Sequence, residues 1–143
     1  MLIRVRATQI PRVWDVVKFA ADKANEIEGR EQSFYNQTLL DLLNDHAQCF
    51  VRLSPERRIQ MVGVTKVVVS PLTNVRLLTI QFLYAFEMGG DVWTEDFEML
   101  REFAKQMECN LITFETKNPA VLALAQRLGF TEAFRTMAFS LED

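Results

Sequence analysis

The stretch Asn118 to Phe130, NPAVLALAQRLGF, decides the fold. Asn before Pro favours turn initiation, and an Asn side chain caps the helix that follows it. Pro119 suits the first helical turn, where its missing N–H costs nothing, and Gly129 marks the helix end. Ala133 to Leu141 then reads as a final strand. The block is therefore a short capped helix that delivers the chain back to a sheet.

Working towards the N-terminus, Cys109 to Thr116 reads as a short strand, with Leu111, Thr113 and Glu115 on its more polar face. Before it, Phe97, Leu100, Phe103, Ala104 and Met107 recur at helical spacing. Ahead of that helix lies FEMGGDVWTEDFEML, Phe86 to Leu100, whose Gly89 and Gly90 form a turn. Thr94 is its expected helix cap, with Glu95 and Asp96 in the first turn.

Further upstream the period is two: CFVRLS, a turn at Ser54 to Arg58, IQMVGVTKVVVS, a turn at Pro71 to Asn74, then VRLLTIQFLYAFE. Three strands joined by short turns predict an antiparallel meander. The last is apolar on both faces apart from Thr79 and Gln81, as a central strand covered on each side should be. Leu2 to Ala7 predicts a first strand, Pro11 to Ala20 a helix, Glu26 to Gln32 a loop, and Tyr35 to Asp45 a second helix. The sum is an α/β fold with a mixed, mostly antiparallel central sheet and helices on both faces.

Length and composition frame this as one domain spanning residues 1–143. The chain has 143 residues, 49% of them hydrophobic, which is ample for a core. A net charge of -3 gives no basic footprint for nucleic acid. Only two cysteines, Cys49 and Cys109, argue against a disulfide scaffold and for a reducing cytoplasm. No export leader or membrane-length apolar run is expected. His46 is the sole histidine, so no His-rich metal site is expected.

In this element order, the Asn118 to Phe130 block resembles the GNAT N-acetyltransferase superfamily, whose pattern is Asn, a short helix, then Leu-Gly-Phe before the last strand. Gly63 lies where such proteins often carry a Val-Gly pair. In size and reduced motifs the chain also resembles short GNAT-like proteins carried by bacteriophages, for which host cytoplasm or virion is the setting. The resemblance implies acetyl-CoA as cofactor, with no metal. Leu83, Tyr84, Met88, Gly89, Gly90 and Asn118 would contact the cofactor, and Glu87 or Glu115 would serve as base towards an amine acceptor.

The chain departs from the family pattern at its cofactor signature, which is Arg or Gln, two residues, Gly, one residue, then Gly or Ala. Met88, Asp91 and Trp93 stand at the three informative positions. A pyrophosphate sits at a helix N-terminus because free N–H groups and the dipole face it, whereas Asp91, Glu95 and Asp96 repel it. Ala125 stands where many relatives carry a Tyr that protonates the leaving thiolate. Two readings follow: a GNAT-fold binding or accessory protein that has lost acetyl-CoA, or an acetyl-CoA-dependent N-acetyltransferase for an unknown amine. A homodimer contact is expected first at Phe134, Met137 and Phe139.

Overall fold

The computed structural model describes residues 2–24, 32–86, 92–116 and 118–141, and the side chains of residues 92 and 93 lie outside that description. Five strands form one sheet in sequential order: β1 (Leu2–Val5), β2 (Gln48–Leu53), β3 (Ile59–Val69), β4 (Arg76–Ala85) and β5 (Leu111–Thr113). The first four pair antiparallel, and β4 and β5 run parallel, linked through a helix. Short turns close the meander as expected. Arg57 and Asn74 adopt left-handed φ values of 64° and 59°, and the Ser54 Oγ accepts the Arg58 N–H at 3.0 Å.

Helices α1 (Ile10–Lys23) and α2 (Gln32–Leu43) cover one face, and α3 (Val92–Gln106) covers the other. Strand periodicity decides which side chains go where. Cys49 and Val51 of β2 pack with Val17, Ala20 and Leu42 of the helix pair. The intervening Phe50 packs with Leu100 and Ala104 of α3 and meets the Phe103 ring edge-on at 5.2 Å. Gly63 lies between Phe50 and Leu83 in the ladder, and a Cβ there would stand 3.2 Å from the Leu83 Cδ1. A side chain at this position would press on β4. The last helix, α4 (Pro119–Arg127), begins as the sequence predicts, with the Asn118 Oδ1 accepting the Ala120 N–H at 2.9 Å.

Several boundaries differ from expectation. α2 starts at Gln32 and stops at Leu43, because Asp45 turns left-handed at φ 60°. α3 starts at Val92, which puts Thr94 inside the first turn and not at the cap. β5 keeps only three residues of the expected Cys109 to Thr116. Cys109 and Asn110 are used in the turn into it, where the Cys109 N–H reaches the Ala104 carbonyl and the Asn110 N–H the Arg76 carbonyl.

The largest difference is at the C-terminal end. Ala133 to Leu141 is not a strand, and all of its residues are exposed. Alternation supplies a strand's side-chain pattern, but a strand also needs a ladder to join. The three residues of β5 offer a short one, and the segment runs off the sheet.

Candidate functional site

The site-forming feature is a single extra residue in β4. The β3–β4 register runs from Val64 opposite Phe82 to Thr65 opposite Ile80, so Gln81 has no counterpart. Packing records the same bulge. Ile80 lies against the α3 side and Phe82 against the α1 side, although two residues apart they would share a face in a regular strand. A bulge bends and twists its strand.

The consequence is a cleft between β4 and β5. The two strands pair only from Leu77, Leu78 and Thr79 to Leu111, Ile112 and Thr113. The last rung is closed by the Thr79 and Thr113 hydroxyls at 3.1 Å. Beyond it, Ile80 to Ala85 continues as strand while the partner chain leaves the ladder, so the side of β4 facing β5 is free among the described residues. The Gln81 Oε1 is buried at this splay with no hydrogen-bond partner among the described residues.

On the α1 face, the end of β4 carries an aromatic cluster. Tyr84 and Phe86 meet edge to face at 5.1 Å, and Phe19 of α1 stacks on Phe86 at 5.9 Å. The Lys23 Nζ lies 5.5 Å from the Phe19 ring, and the Lys18 Nζ lies 5.5 Å from the Tyr35 ring. Tyr35 donates its hydroxyl proton to the Asp22 carboxylate. The described side chains here are aromatic rings flanked by two lysines and the Asp22 carboxylate.

With α3 starting at Val92, Glu95 lies in its first turn, and Asp96, expected there too, falls one residue beyond it. Glu95 is exposed, whereas Asp96 is buried and turned into the sheet, where its Oδ2 meets the Arg52 Nε at 3.0 Å. Burial pushes the Asp96 carboxyl up from the usual range, and the Arg52 guanidinium pulls it part of the way back. Asp96 therefore does not face outward as a helix-start acid. Of the three carboxylates that the sequence sets against a pyrophosphate, this one is occupied internally.

The expected site residues scatter. Leu83 is exposed on the strand, and Tyr84 is half-buried in the aromatic cluster. Glu115 is exposed just beyond β5, on the partner side of the splay. Asn118 is spent as a helix cap. Glu87, Met88, Gly89, Gly90 and Asp91 lie outside the described residues. Ala125 is buried in α4. His46 is exposed, and the Cys49 thiol is buried and pushed up to about 12 by that burial. No group of three or more potential metal-binding side chains occurs among the described residues, and no helix there is long and apolar enough to cross a membrane.

Comparisons with solved structures match the chain over essentially its whole length. The chain has a GNAT-like fold. It is similar to a probable acetyltransferase at 13% identity and TM-score 0.74, covering 100% of this chain and 99% of that one. A predicted acetyltransferase from Clostridium acetobutylicum, solved with acetyl-CoA, matches at 15% identity and TM-score 0.74, with 99% and 96% covered. AAC(6')-Iy, in complex with the bisubstrate analogue CoA-S-monomethyl-acetylneamine, matches at 12% identity and TM-score 0.73, with 100% and 98% covered. No protein-family model and no curated protein matches the sequence.

Past the ladder with β5, β4 carries backbone groups that no described strand pairs, beside the buried Gln81 Oε1. Glu95 stands exposed in the first turn of α3. Sequence reading missed the Arg52–Asp96 pair and the Phe19 cluster, although Gln81 stood out as a polar break in an apolar strand.

Proposed function

We propose that this chain is a GNAT-fold binding or accessory protein that retains the β4–β5 cleft but no longer holds acetyl-CoA. The observation that carries the reading is the acidic start of α3. Glu95 stands exposed in its first turn, and carboxylates there already satisfy the helix dipole for ~0.3–1 kcal/mol each. A pyrophosphate would add two negative charges beside it, with Asp91 adjacent in sequence and Asp96 bound internally to Arg52. Ala125, with no acidic proton, supports the same reading at the thiolate end.

Calorimetric titration with acetyl-CoA tests it. The expected result is no binding heat at millimolar ligand, and a micromolar Kd overturns the proposal. The doubly substituted variant Asp91→Gly, Trp93→Gly should gain affinity for CoA over the parent chain. Unchanged or weaker binding would mean that those two residues are not the obstacle.

The intact cleft favours a second reading, an N-acetyltransferase acting by direct attack of an amine on the thioester. Glu87 or Glu115 would take the amine proton, directly or through one water. Release of free CoA thiol from acetyl-CoA in the presence of an amine panel would establish it.

A further inference from the structure

We propose that the end of β4, the last turns of α1 and the β2–β3 turn together bind a small planar aromatic anion, a flat ring system carrying one carboxylate or phosphate. The rings supply half of the recognition. Phe19 and Phe86 stack with centroids 5.9 Å apart and planes 13° from parallel, and Tyr84 meets them edge-on at 6.3 and 5.1 Å. Tyr84 is half-buried, yet Phe19 keeps 47% of its surface exposed and Phe86 39%. Ring faces left in water in this way offer a flat ligand a stacking platform, which aliphatic side chains would not.

Charge supplies the other half. The Lys23 Nζ lies 5.5 Å from the Phe19 ring and the Lys18 Nζ 5.5 Å from the Tyr35 ring. On the strand side, the Phe86 N–H donates to the Gln60 carbonyl at 2.8 Å. Arg58 and Arg57 follow two and three residues from that bond, about 7–10 Å of extended chain. Arg57 is exposed and holds a left-handed φ of 64°, a conformation that favours glycine. Glycine would relax the turn, so the position trades local strain for an exposed guanidinium. Against these four cations stand Asp15, Asp22 and Glu56 among the described residues, and the Asp22 carboxylate already accepts the Tyr35 hydroxyl. A carboxylate or phosphate is therefore favoured, and an arginine fork can hold either through two parallel N–H bonds. An amine, cationic at neutral pH, meets like charge on both sides.

Size selects a small molecule over a protein as the occupant. One exposed stack and one edge-on ring offer roughly a few hundred Å² at most, well short of the ~1,200 Å² at the lower end of stable protein interfaces. The site rests on the reading of the chain as a binding protein and gives that protein a ligand class. Probes without CoA keep the two apart: acetyl-CoA binding would overturn the first reading and leave this one standing, and a failed titration with an aromatic anion would do the reverse.

Titration of the full chain with indole-3-acetate, followed by the NMR shifts of the Phe19 and Phe86 rings, tests the site. A Kd of about 1 mM is expected, ordinary for a ligand of this size. Tryptamine presents the same ring with an ammonium group, and cyclohexylacetate presents the same charge without a flat ring. Each should bind about tenfold more weakly than indole-3-acetate. Tryptamine or cyclohexylacetate binding as tightly as indole-3-acetate overturns the proposal, as does the absence of ring shifts up to about 10 mM ligand. Phe19→Ala should weaken indole-3-acetate about tenfold with an unchanged circular dichroism spectrum, and an unchanged Kd places the ligand elsewhere and sinks the site. Lys23 is exposed, so Lys23→Glu tests the charge without disturbing the core. It should narrow or reverse the preference over tryptamine, and an unaltered preference shows that these cations do not select the ligand.

Discussion

Replacing Arg52 by Met would leave the Asp96 carboxylate buried without its cation. Removing one partner of a buried pair typically costs about 3–5 kcal/mol, whereas exchanging both for apolar residues is often close to neutral. Arg52→Met should therefore lower the denaturation midpoint strongly, and the double variant Arg52→Met, Asp96→Leu should recover most of the loss. The effect should depend on pH. Burial holds the folded Asp96 carboxyl above its unfolded value, near 3.9, so its contribution is fully present below that value and is lost as pH rises through the folded one. The gap between Arg52→Met and wild type should be narrow in acid and wide above neutral pH. Equal gaps at both ends would mean that Asp96 is not the group left stranded. This pair could not be read from the sequence, since a strand Arg and a first-turn Asp each have an ordinary solvent-facing reading, and only the stacking of α3 on β2 brings them together.

At the scale of elements, α4 depends on the residue that caps it, Asn118. The Asn118 side chain satisfies one of the N–H groups that a helix start leaves open, and Pro119 removes another. Asn118→Ala should destabilise by about 1 kcal/mol, and Asn118→Ser or Asn118→Asp should restore most of it. Urea unfolding of the three variants checks this, and an Asn118→Ala midpoint equal to wild type would remove the cap from the account. Local chemistry of this kind was legible from the sequence, as were the meander and its turns, because each rests on neighbouring residues. The final strand was misread for the opposite reason. The alternation of 133–141 describes one strand, but whether it is paired depends on a neighbouring ladder, and β5 runs only from Leu111 to Thr113. The splay at Gln81 was half legible: the polar break was visible, and its lack of a counterpart on β3 was not.

For the whole molecule, Cys49 provides a probe of the sheet. It has no exposed surface, and burial holds its thiol near 12, so the reactive thiolate is scarce as well as inaccessible. Thiol-reactive dye should label Cys49 only through openings that separate α1 from the sheet, at a rate that rises with denaturant in step with global unfolding. Rapid labelling in native buffer would show that the α1 layer detaches independently. The architecture as a whole, helices on two faces of a mostly antiparallel sheet, followed from the order of periodicities alone, since each change of period commits a segment to a layer. Which ligand the cleft serves did not follow, because a change of period assigns a segment to a layer and says nothing of the chemistry between strands.

The unmatched residue in β4 has one more implication. The opening between the two strands is set by a count of residues, not by which residues they are. Substitution can change side chains along β4 without removing the unmatched position, whereas deleting Gln81 would even out the β3–β4 register and take the buried Oε1 with it. The shape of the opening and the side chains around it are therefore separate properties of the sequence, one written in its length and the other in its letters.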